Sequence, residues 1–285
     1  MIIWLASYPK SGNTWLRAFI ASLLYGSNQK KALENIKNIR SYPLTIDFEN
    51  LIDDFKDFKK ISQNWLISQK IINLQKKITL FKTHHILCKI NNNSFTDYNN
   101  SLGAINIVRD PRNVITSIKN YYSLKDYDEA LKFMCDEKRF LGKFDKKNMY
   151  ERETQFPTFI SSWGNHYKSW KNFKKNFLLI KYEDLIDKPE KTFGKISKFL
   201  SKLLQIQITD KKIINAINES SFDKLKVDEE KFGYIEAPIN KDTNTKIQFF
   251  YLGPKNNWRD LLPADIRKKI EIKFENEMKD LGYIN

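Results

Sequence analysis

The feature that most constrains this chain lies at its start, where IIWLA (2–6), SYPKSGN (7–13) and TWLRAFIASLLYG (14–26) follow one another. The first is a short apolar run with a β bias, the pattern of a strand covered on both faces. The last carries apolar residues at helical spacing and ends in Gly26, a C-cap residue. Strand, tight loop and helix in that order bring backbone N–H groups and the positive end of a helix dipole to one point. Such a point binds phosphate or sulfate. Gly12 lets the backbone approach an anion closely, Ser11 and Thr14 offer hydroxyls, and Lys10 offers a mobile positive charge. The stretch is not the ATPase loop GxxxxGK[ST], because its glycine follows the lysine and serine. Taken alone, it can also be read as an ordinary turn with a surface lysine.

Further short apolar runs recur at wide spacing: ITLFK (78–82), GAINIV (103–108) and FLLIKY (177–182). Helical patterns lie between them, around 111–123, 158–175 and 188–203. Strands alternating with helices predict parallel βαβ units and an α/β fold, a central parallel sheet flanked by helices. The stretch LPADIRKKIEIKFENEMKDLGY (262–283) reads as a terminal helix, with Pro263 near its start and Gly282 near its end. The polar stretch KFGYIEAPINKDTNTK (231–246) reads as a long loop, and loops of that length inside compact domains are often lids. No boundary interrupts the pattern, so one domain over 1–285 is expected.

Lys and Arg number 49 against 34 Asp and Glu, a net charge of +15. That balance suits anionic partners, or simply a lysine-rich soluble surface. The two cysteines, Cys88 and Cys135, make neither a disulfide framework nor a zinc pattern, and with only His84, His85 and His166 no metal site is expected. The start of the chain lacks the basic and apolar regions of a signal peptide, and no apolar run reaches the roughly 18 residues of a membrane span. A cytoplasmic protein is the expectation.

Three more segments place polar groups just after a strand, where open α/β sheets bind ligands: LFKTHH (80–85), VRDPRNVITS (108–117) and IKYEDL (180–185). Together with YPKSGNTW they resemble the family of sulfotransferases that use 3′-phosphoadenosine 5′-phosphosulfate (PAPS). YPKSGNTW is similar to the family's 5′-phosphosulfate loop, usually YPKSGTTW. VRDPRNVITS resembles its 3′-phosphate motif, an arginine followed eight residues later by a serine. KTHH matches the segment with the catalytic histidine, and KYEDL the strand with a tyrosine near the adenine. NESSFDKLK (218–226) and FFYLGPKNNWRDLL (249–262) resemble a further nucleotide-contacting segment and the motif that closes over the cofactor. The matches come in family order from 7 to 262.

The resemblance implies a single α/β domain with a P-loop-like anion site and in-line transfer of a sulfuryl group from PAPS to an acceptor hydroxyl or amine. It implies that 3′-phosphoadenosine 5′-phosphate (PAP) is the product and that no metal is needed. By the same resemblance Lys10 contacts the leaving phosphate and Lys82 lies near the transferring group. His84 is the general base, as suits an imidazole whose pKa lies near neutrality. Ser11, Gly12, Asn13 and Thr14 hold the phosphate. Trp15 lies against the adenine, although its place on an apolar helix face equally suits core packing. Arg109 and Ser117 take the 3′-phosphate. Tyr182 and the segment Ser220, Ser221 and Phe222 complete the adenine side, and Gly253 with Lys255 belongs to the closing motif. That motif departs from the family's RKGxxGxW: Tyr251 and Leu252 replace the two cations, while Gly253 and Trp258 remain. Lys255 or Arg112 are the candidate substitutes. His85 has no assignable role.

Three other readings share some of these features. A P-loop kinase-like enzyme would need a carboxylate to hold Mg²⁺, and Asp110 is the nearest candidate. A non-catalytic nucleic-acid-binding protein would suit the charge and the 14% aromatics, but the cations are spread along the chain and no nucleic-acid module motif stands out, so no nucleic-acid partner is expected. A chain that keeps the fold without catalysis would suit the altered closing motif, but the intact Lys10 and His84 argue against it. Neither the acceptor nor the oligomeric state is legible, and 40–60 and 126–155 are the expected acceptor-facing segments by analogy.

Overall fold

The structure is a computed structural model that describes residues 1–26, 32–142, 156–239 and 245–285. A central parallel sheet flanked by helices orders its strands β2–β1–β3–β4. They are β1 (Ile2–Ser7), β2 (Thr79–Thr83), β3 (Ser101–Val108) and β4 (Phe177–Lys181). β1 and β2 run parallel, with Leu5 opposite Lys82 and Ala6 opposite Thr83. All six residues of β1 are buried, which accounts for its uninterrupted apolar run. Each expected strand is present to within about two residues, the ordinary uncertainty of element ends. By contact, the chain divides into two compact units, each gathered from three segments.

The first unit takes Met1–Tyr8, Ile39–Asn106 and Asp136–Leu179. Its core is aromatic. The Trp4 ring lies 5.4 Å from those of Tyr42 and Phe95 and 6.0 Å from Phe81, and its indole N–H donates to Ser101 Oγ at 2.7 Å. Aromatic pairs at such spacing add about 0.5–1.5 kcal/mol each beyond the area they bury. The helix Phe58–Asn73 starts where Asp57 accepts the N–H groups of Lys59 and Lys60, and it sends Ile61 and Trp65 into this core.

The helix expected over 158–175 is shorter. Thr158–Phe159 pairs as a strand with Phe140–Leu141, and the helix runs only from Trp163 to Lys171. Ser161 has φ +56°, and Ser162 caps the helix by accepting the N–H of Asn165, so the turn belongs to these two serines.

The second unit takes Pro9–Asn38, Ile107–Cys135 and Ile180–Asn285. Its helices include α1 (Asn13–Tyr25), α2 (Pro111–Tyr121), α3 (Pro189–Leu204), α4 (Asp210–Glu219) and α5 (Phe222–Phe232). Ala18, Leu33, Ile36, Leu225, Tyr234 and Phe250 form a core among them. α2 begins with Asp110 accepting the N–H of Arg112 and with Pro111 in its first turn, as the sequence leads one to expect. Gly26 does end α1, but in extended geometry (φ −62°, ψ 128°) rather than in a left-handed cap.

The terminal helix is two helices, Ala264–Lys273 and Glu275–Asp280, broken at Phe274 (φ −117°, ψ 26°), whose ring is buried. The stretch 231–246 begins as the end of α5, which Gly233 closes at φ +71°. Ile239 then pairs with Lys246, and 240–244 lie outside the described residues. Of the segment 126–155, residues Tyr127–Cys135 form a helix and 143–155 lie outside the described residues. Among the described residues no helix is long and apolar enough to cross a membrane.

Candidate active site

The loop between β1 and α1 carries two left-handed residues, Lys10 at φ +63° and Gly12 at φ +99°. For glycine that conformation costs little; for lysine it is strained. Gly12 also has no room for a side chain, since a Cβ there would stand 2.4 Å from Cδ2 of Tyr182. As the N-cap of α1, Gly12 supplies no side-chain acceptor to the first amides, and no acidic residue stands in the first turn. The helix start thus presents its positive dipole end without a side-chain cap, a setting that suits an anion. Asn13 and Thr14 are buried there, and Ser11 Oγ is buried with no hydrogen-bond partner among the described residues. A buried hydroxyl left this way is costly, and an acceptor such as a phosphoryl oxygen would satisfy it.

Arg109, at the end of β3, brings two of the motifs together within the second unit. Its Nη1 donates to the main-chain oxygen of Lys10 at 3.3 Å and to Ser117 Oγ at 3.4 Å. Its guanidinium lies over the Tyr182 ring, 4.1 Å from the centroid, and its Nε is buried without a partner among the described residues. An arginine so stacked keeps a planar fork aimed in a fixed direction, which suits a phosphate. Trp15 stands edge-on to Tyr182 at 5.6 Å and to Phe193 at 5.8 Å. Gly253, at φ +52°, sits against the Phe222 ring, where a Cβ would approach to 2.3 Å. Lys10, Ser11, Gly12, Arg109, Ser117 and Tyr182 are therefore linked neighbours in one unit, with Gly253 and Phe222 packed on each other.

The ammonium of Lys10 has a setting that sequence reasoning did not find. It lies 4.0 Å from the centroid of Tyr121 and 3.8 Å from that of Phe249, between two aromatic faces. Tyr121 donates its hydroxyl to the main-chain oxygen of Glu236, and burial, more than the Glu236 charge, pushes that phenol up to about 12. Glu236 is itself paired with Arg17 of α1 at 2.6 Å. Tyr121 and Phe249 were visible only as aromatics, with no signal that separates a ring facing a lysine from a ring in a core.

Arg112, one candidate for the missing cations of the closing motif, is bound to other partners. It is buried and donates to both Asp110 oxygens, to Glu271 at 2.8 Å and to the main-chain oxygen of Tyr283 at 2.9 Å. Its guanidinium stacks on Trp258, 4.0 Å from the ring centroid. This network fixes the start of α2, and it occupies both oxygens of the carboxylate that a kinase reading would assign to a metal. Lys255 is exposed. Ser220 spends its hydroxyl on the main-chain oxygen of Ala216 at the end of α4. Ser221 is the N-cap position of α5 but makes no side-chain cap bond.

Lys82 and His84 belong to the first unit. Lys82 is held in place by its backbone, whose N–H donates to Arg40 O and whose oxygen accepts from Tyr42 N–H, and its residue is buried. His84, half-buried at the end of β2, places Nδ1 2.7 Å from the main-chain oxygen of Ser7 and 3.2 Å from Ser7 Oγ. A carbonyl oxygen can only accept, so Nδ1 carries the proton and the lone pair lies on Nε2. His166 Nε2 in turn donates to the main-chain oxygen of His84 at 3.1 Å.

His85 stacks on Phe95 with centroids 4.1 Å apart and planes 4° apart, and its Nδ1 donates to Ile86 O at 2.7 Å. Burial holds both His85 and His166 down to about 3, so they are neutral core groups. Among the described residues, no three His, Cys, Asp or Glu side chains come together as a group that could hold a metal ion.

A family model described as the sulfotransferase domain matches residues 2–282. Sulfotransferase 1B1 of Canis lupus familiaris is 24% identical over 96% of this chain and 82% of its own length. Flavonol 4′-sulfotransferase of Flaveria chlorifolia is 23% identical over 99% and 80%. Among solved structures, a mouse sulfotransferase complexed with PAP aligns with a TM-score of 0.58 at 20% identity, covering 99% of this chain and 85% of that one. Retinol dehydratase with androsterone and PAP gives 0.57 at 17% identity, covering 98% and 81%. A domain match across nearly the whole length, on a sheet with this strand order, means that the chain belongs to the family of PAPS-dependent sulfotransferases and is an enzyme of that class.

Proposed function

We propose that this enzyme transfers the sulfuryl group of PAPS to an acceptor hydroxyl or amine, with His84 as general base and Lys10 opposite the leaving 5′-phosphate. The observation that carries the nucleotide part is Arg109, which ties the Lys10 main chain to Ser117 beside a helix start whose first amides lack a side-chain cap. Ser11 Oγ and Arg109 Nε, both buried and without a partner among the described residues, support a phosphate-bearing ligand there.

PAPS supplies the sulfuryl group and departs as PAP. Nε2 of His84 takes the acceptor's proton as the acceptor oxygen or nitrogen bonds to sulfur. The bond between sulfur and the bridging oxygen breaks, and its electron pair goes to the 5′-phosphate. Lys10 meets that growing negative charge, so it favours the transition state over the ground state. Arg109 and the Ser117 hydroxyl hold the 3′-phosphate, and Tyr182, Trp15 and Phe222 supply aromatic surface for the base. Lys82 adds positive charge near the transferring group.

One sulfotransferase domain over the whole chain is part of this reading, supported by a single family match that runs through the segments of both units. A cytoplasmic setting is also part of it, in keeping with free Cys88 and Cys135.

Calorimetric titration with PAP tests the reading, with ADP and with ATP plus Mg²⁺ as controls. Tight, metal-independent binding that needs the 3′-phosphate and weakens in Arg109→Ala is the expected result. Preference for ATP–Mg²⁺, or indifference to the 3′-phosphate, overturns it in favour of a kinase-like enzyme.

A further inference from the structure

Asn256 is buried at the end of the turn Gly253–Lys255, and its amide nitrogen makes two bonds to α2. Nδ2 donates to the main-chain oxygen of Asn113 at 2.8 Å and to Ser117 Oγ at 2.9 Å. Asn113 answers with its own side chain, whose Oδ1 accepts the N–H of Trp258 at 2.8 Å. Residues 256–258 are thereby clamped on one turn of α2, with Ser117 four residues beyond Asn113.

A serine inside a helix ordinarily donates its hydroxyl back to the carbonyl four residues earlier, and for Ser117 that carbonyl is Asn113. Here the Asn256 amide occupies it. The same amide feeds a hydrogen to Ser117 Oγ, and Arg109 Nη1 approaches the same oxygen at 3.4 Å. A hydroxyl has two acceptor sites and one proton. With both acceptor sites facing donors, the Ser117 hydroxyl has only its proton left to offer, and among the described residues it donates to none.

We infer that Asn256 is a positioning residue that makes Ser117 an obligate hydrogen-bond donor and so selects a doubly charged 3′-phosphate on the nucleotide. The inference rests on the reading of Arg109 and Ser117 as the 3′-phosphate pair. It assigns to a neutral side chain the task left open where Tyr251 and Leu252 replace two cations and where Arg112 is bound elsewhere. The amide works indirectly: it adds no charge, but it frees a donor that the helix would otherwise absorb.

The test compares PAP with 5′-AMP, which differ by the 3′-phosphate alone, by calorimetry on the full chain. The readout is the ratio of the two affinities, which general loosening of the fold would not move selectively. In Asn256→Ala the Ser117 hydroxyl turns back to Asn113 O, and the ratio falls about tenfold, the worth of one hydrogen bond to a charged group. Asn256→Asp cannot supply the amide hydrogens, so its ratio falls at least as far. Ser117→Ala falls comparably, and adding Asn256→Ala to it costs little more, because both act through one hydroxyl.

Wild-type protein that does not prefer PAP over 5′-AMP would overturn the nucleotide reading itself. Wild-type preference that survives intact in Asn256→Ala, or full additivity with Ser117→Ala, would overturn the role of Asn256 alone. Should Asn256→Ala not fold, Asn256→Asp and Ser117→Ala still decide the matter through the same ratio.

Discussion

The main-chain oxygen of Ser7 lies 2.7 Å from Nδ1 of His84, and this one contact decides which nitrogen of the imidazole can act as a base. Ser7 ends β1 and His84 follows β2, its parallel neighbour, so the sheet register itself brings them together. His166 holds the carbonyl of His84 from the other side of the residue. The ring therefore has a fixed tautomer and an anchored backbone before any substrate arrives, and Nε2 is the atom left to take a proton.

Replacing His84 with Gln keeps a polar group but removes the base. The turnover number is expected to fall by roughly 10²–10⁴, the usual worth of a positioned proton acceptor. PAP affinity should stay within about twofold, because in this reading the residue meets the acceptor rather than the nucleotide. Steady-state rates set beside PAP titrations check both points. An unchanged turnover number would remove His84 from the chemistry.

Gly12→Ala meets two obstacles at once. Its φ of +99° disfavours any side chain, and the new methyl would stand 2.4 Å from the Tyr182 ring that also carries the Arg109 guanidinium. Strain of this kind costs roughly 1–3 kcal/mol. Thermal unfolding should show lower stability, and PAP binding should weaken by more than tenfold, since the ring that must move supports the Arg109 guanidinium, the proposed 3′-phosphate partner. Retention of wild-type affinity would mean that the loop does not carry the phosphate.

The strand–loop–helix start was legible because its signals are local: an apolar run, a glycine that has to be glycine, and a 3.6-residue period. The motifs after β2, β3 and β4 were legible for the same reason, each being a few consecutive residues. What stayed hidden depends on partners distant in sequence. Asn256 meets Ser117 across 139 residues, and His166 meets His84 across 82. Nothing in NNW or GNHYK announces those bonds. The terminal helix was read as continuous because its apolar spacing continues past Phe274, where the backbone leaves the helical region and the ring is buried. Arg112 looked like a spare cation because its partners Glu271 and Tyr283 lie at the far end of the chain.

Arg109 and Arg112 stand three residues apart and should fail differently. Arg109→Ala removes the group that bonds to Lys10 O and Ser117, so PAP affinity should fall steeply with a modest change in melting temperature. Arg112→Ala leaves the buried Asp110 and the partly buried Glu271 short of a partner, and breaking a buried pair from one side costs about 3–5 kcal/mol. Its melting temperature should fall sharply, while any PAP affinity measured well below that temperature stays near wild type. Calorimetry and thermal unfolding on the two variants separate the roles, and a selective loss of PAP affinity in Arg112→Ala would return it to the phosphate site.

The histidine core predicts how the protein responds to acid. His85 and His166 are held down to about 3 by burial, against an ordinary value of 6.5. A lowered folded-state value means that the unfolded chain binds the proton first as pH falls. Their contribution is therefore complete above about 6.5 and is lost between there and about 3, with a slope near 1.4 kcal/mol per pH unit for each group. Melting temperature should thus decline steadily from pH 6.5 to pH 4.5. His85→Phe keeps a flat ring stacked on Phe95 and removes one titrating group, so the decline should lose about half its histidine part even if the variant is somewhat less stable at pH 7. His166→Phe also loses the donor to the His84 carbonyl, so it should flatten the same slope and lower turnover besides. A pH dependence that neither substitution alters would show that carboxylates, rather than these two buried imidazoles, set the acid limit.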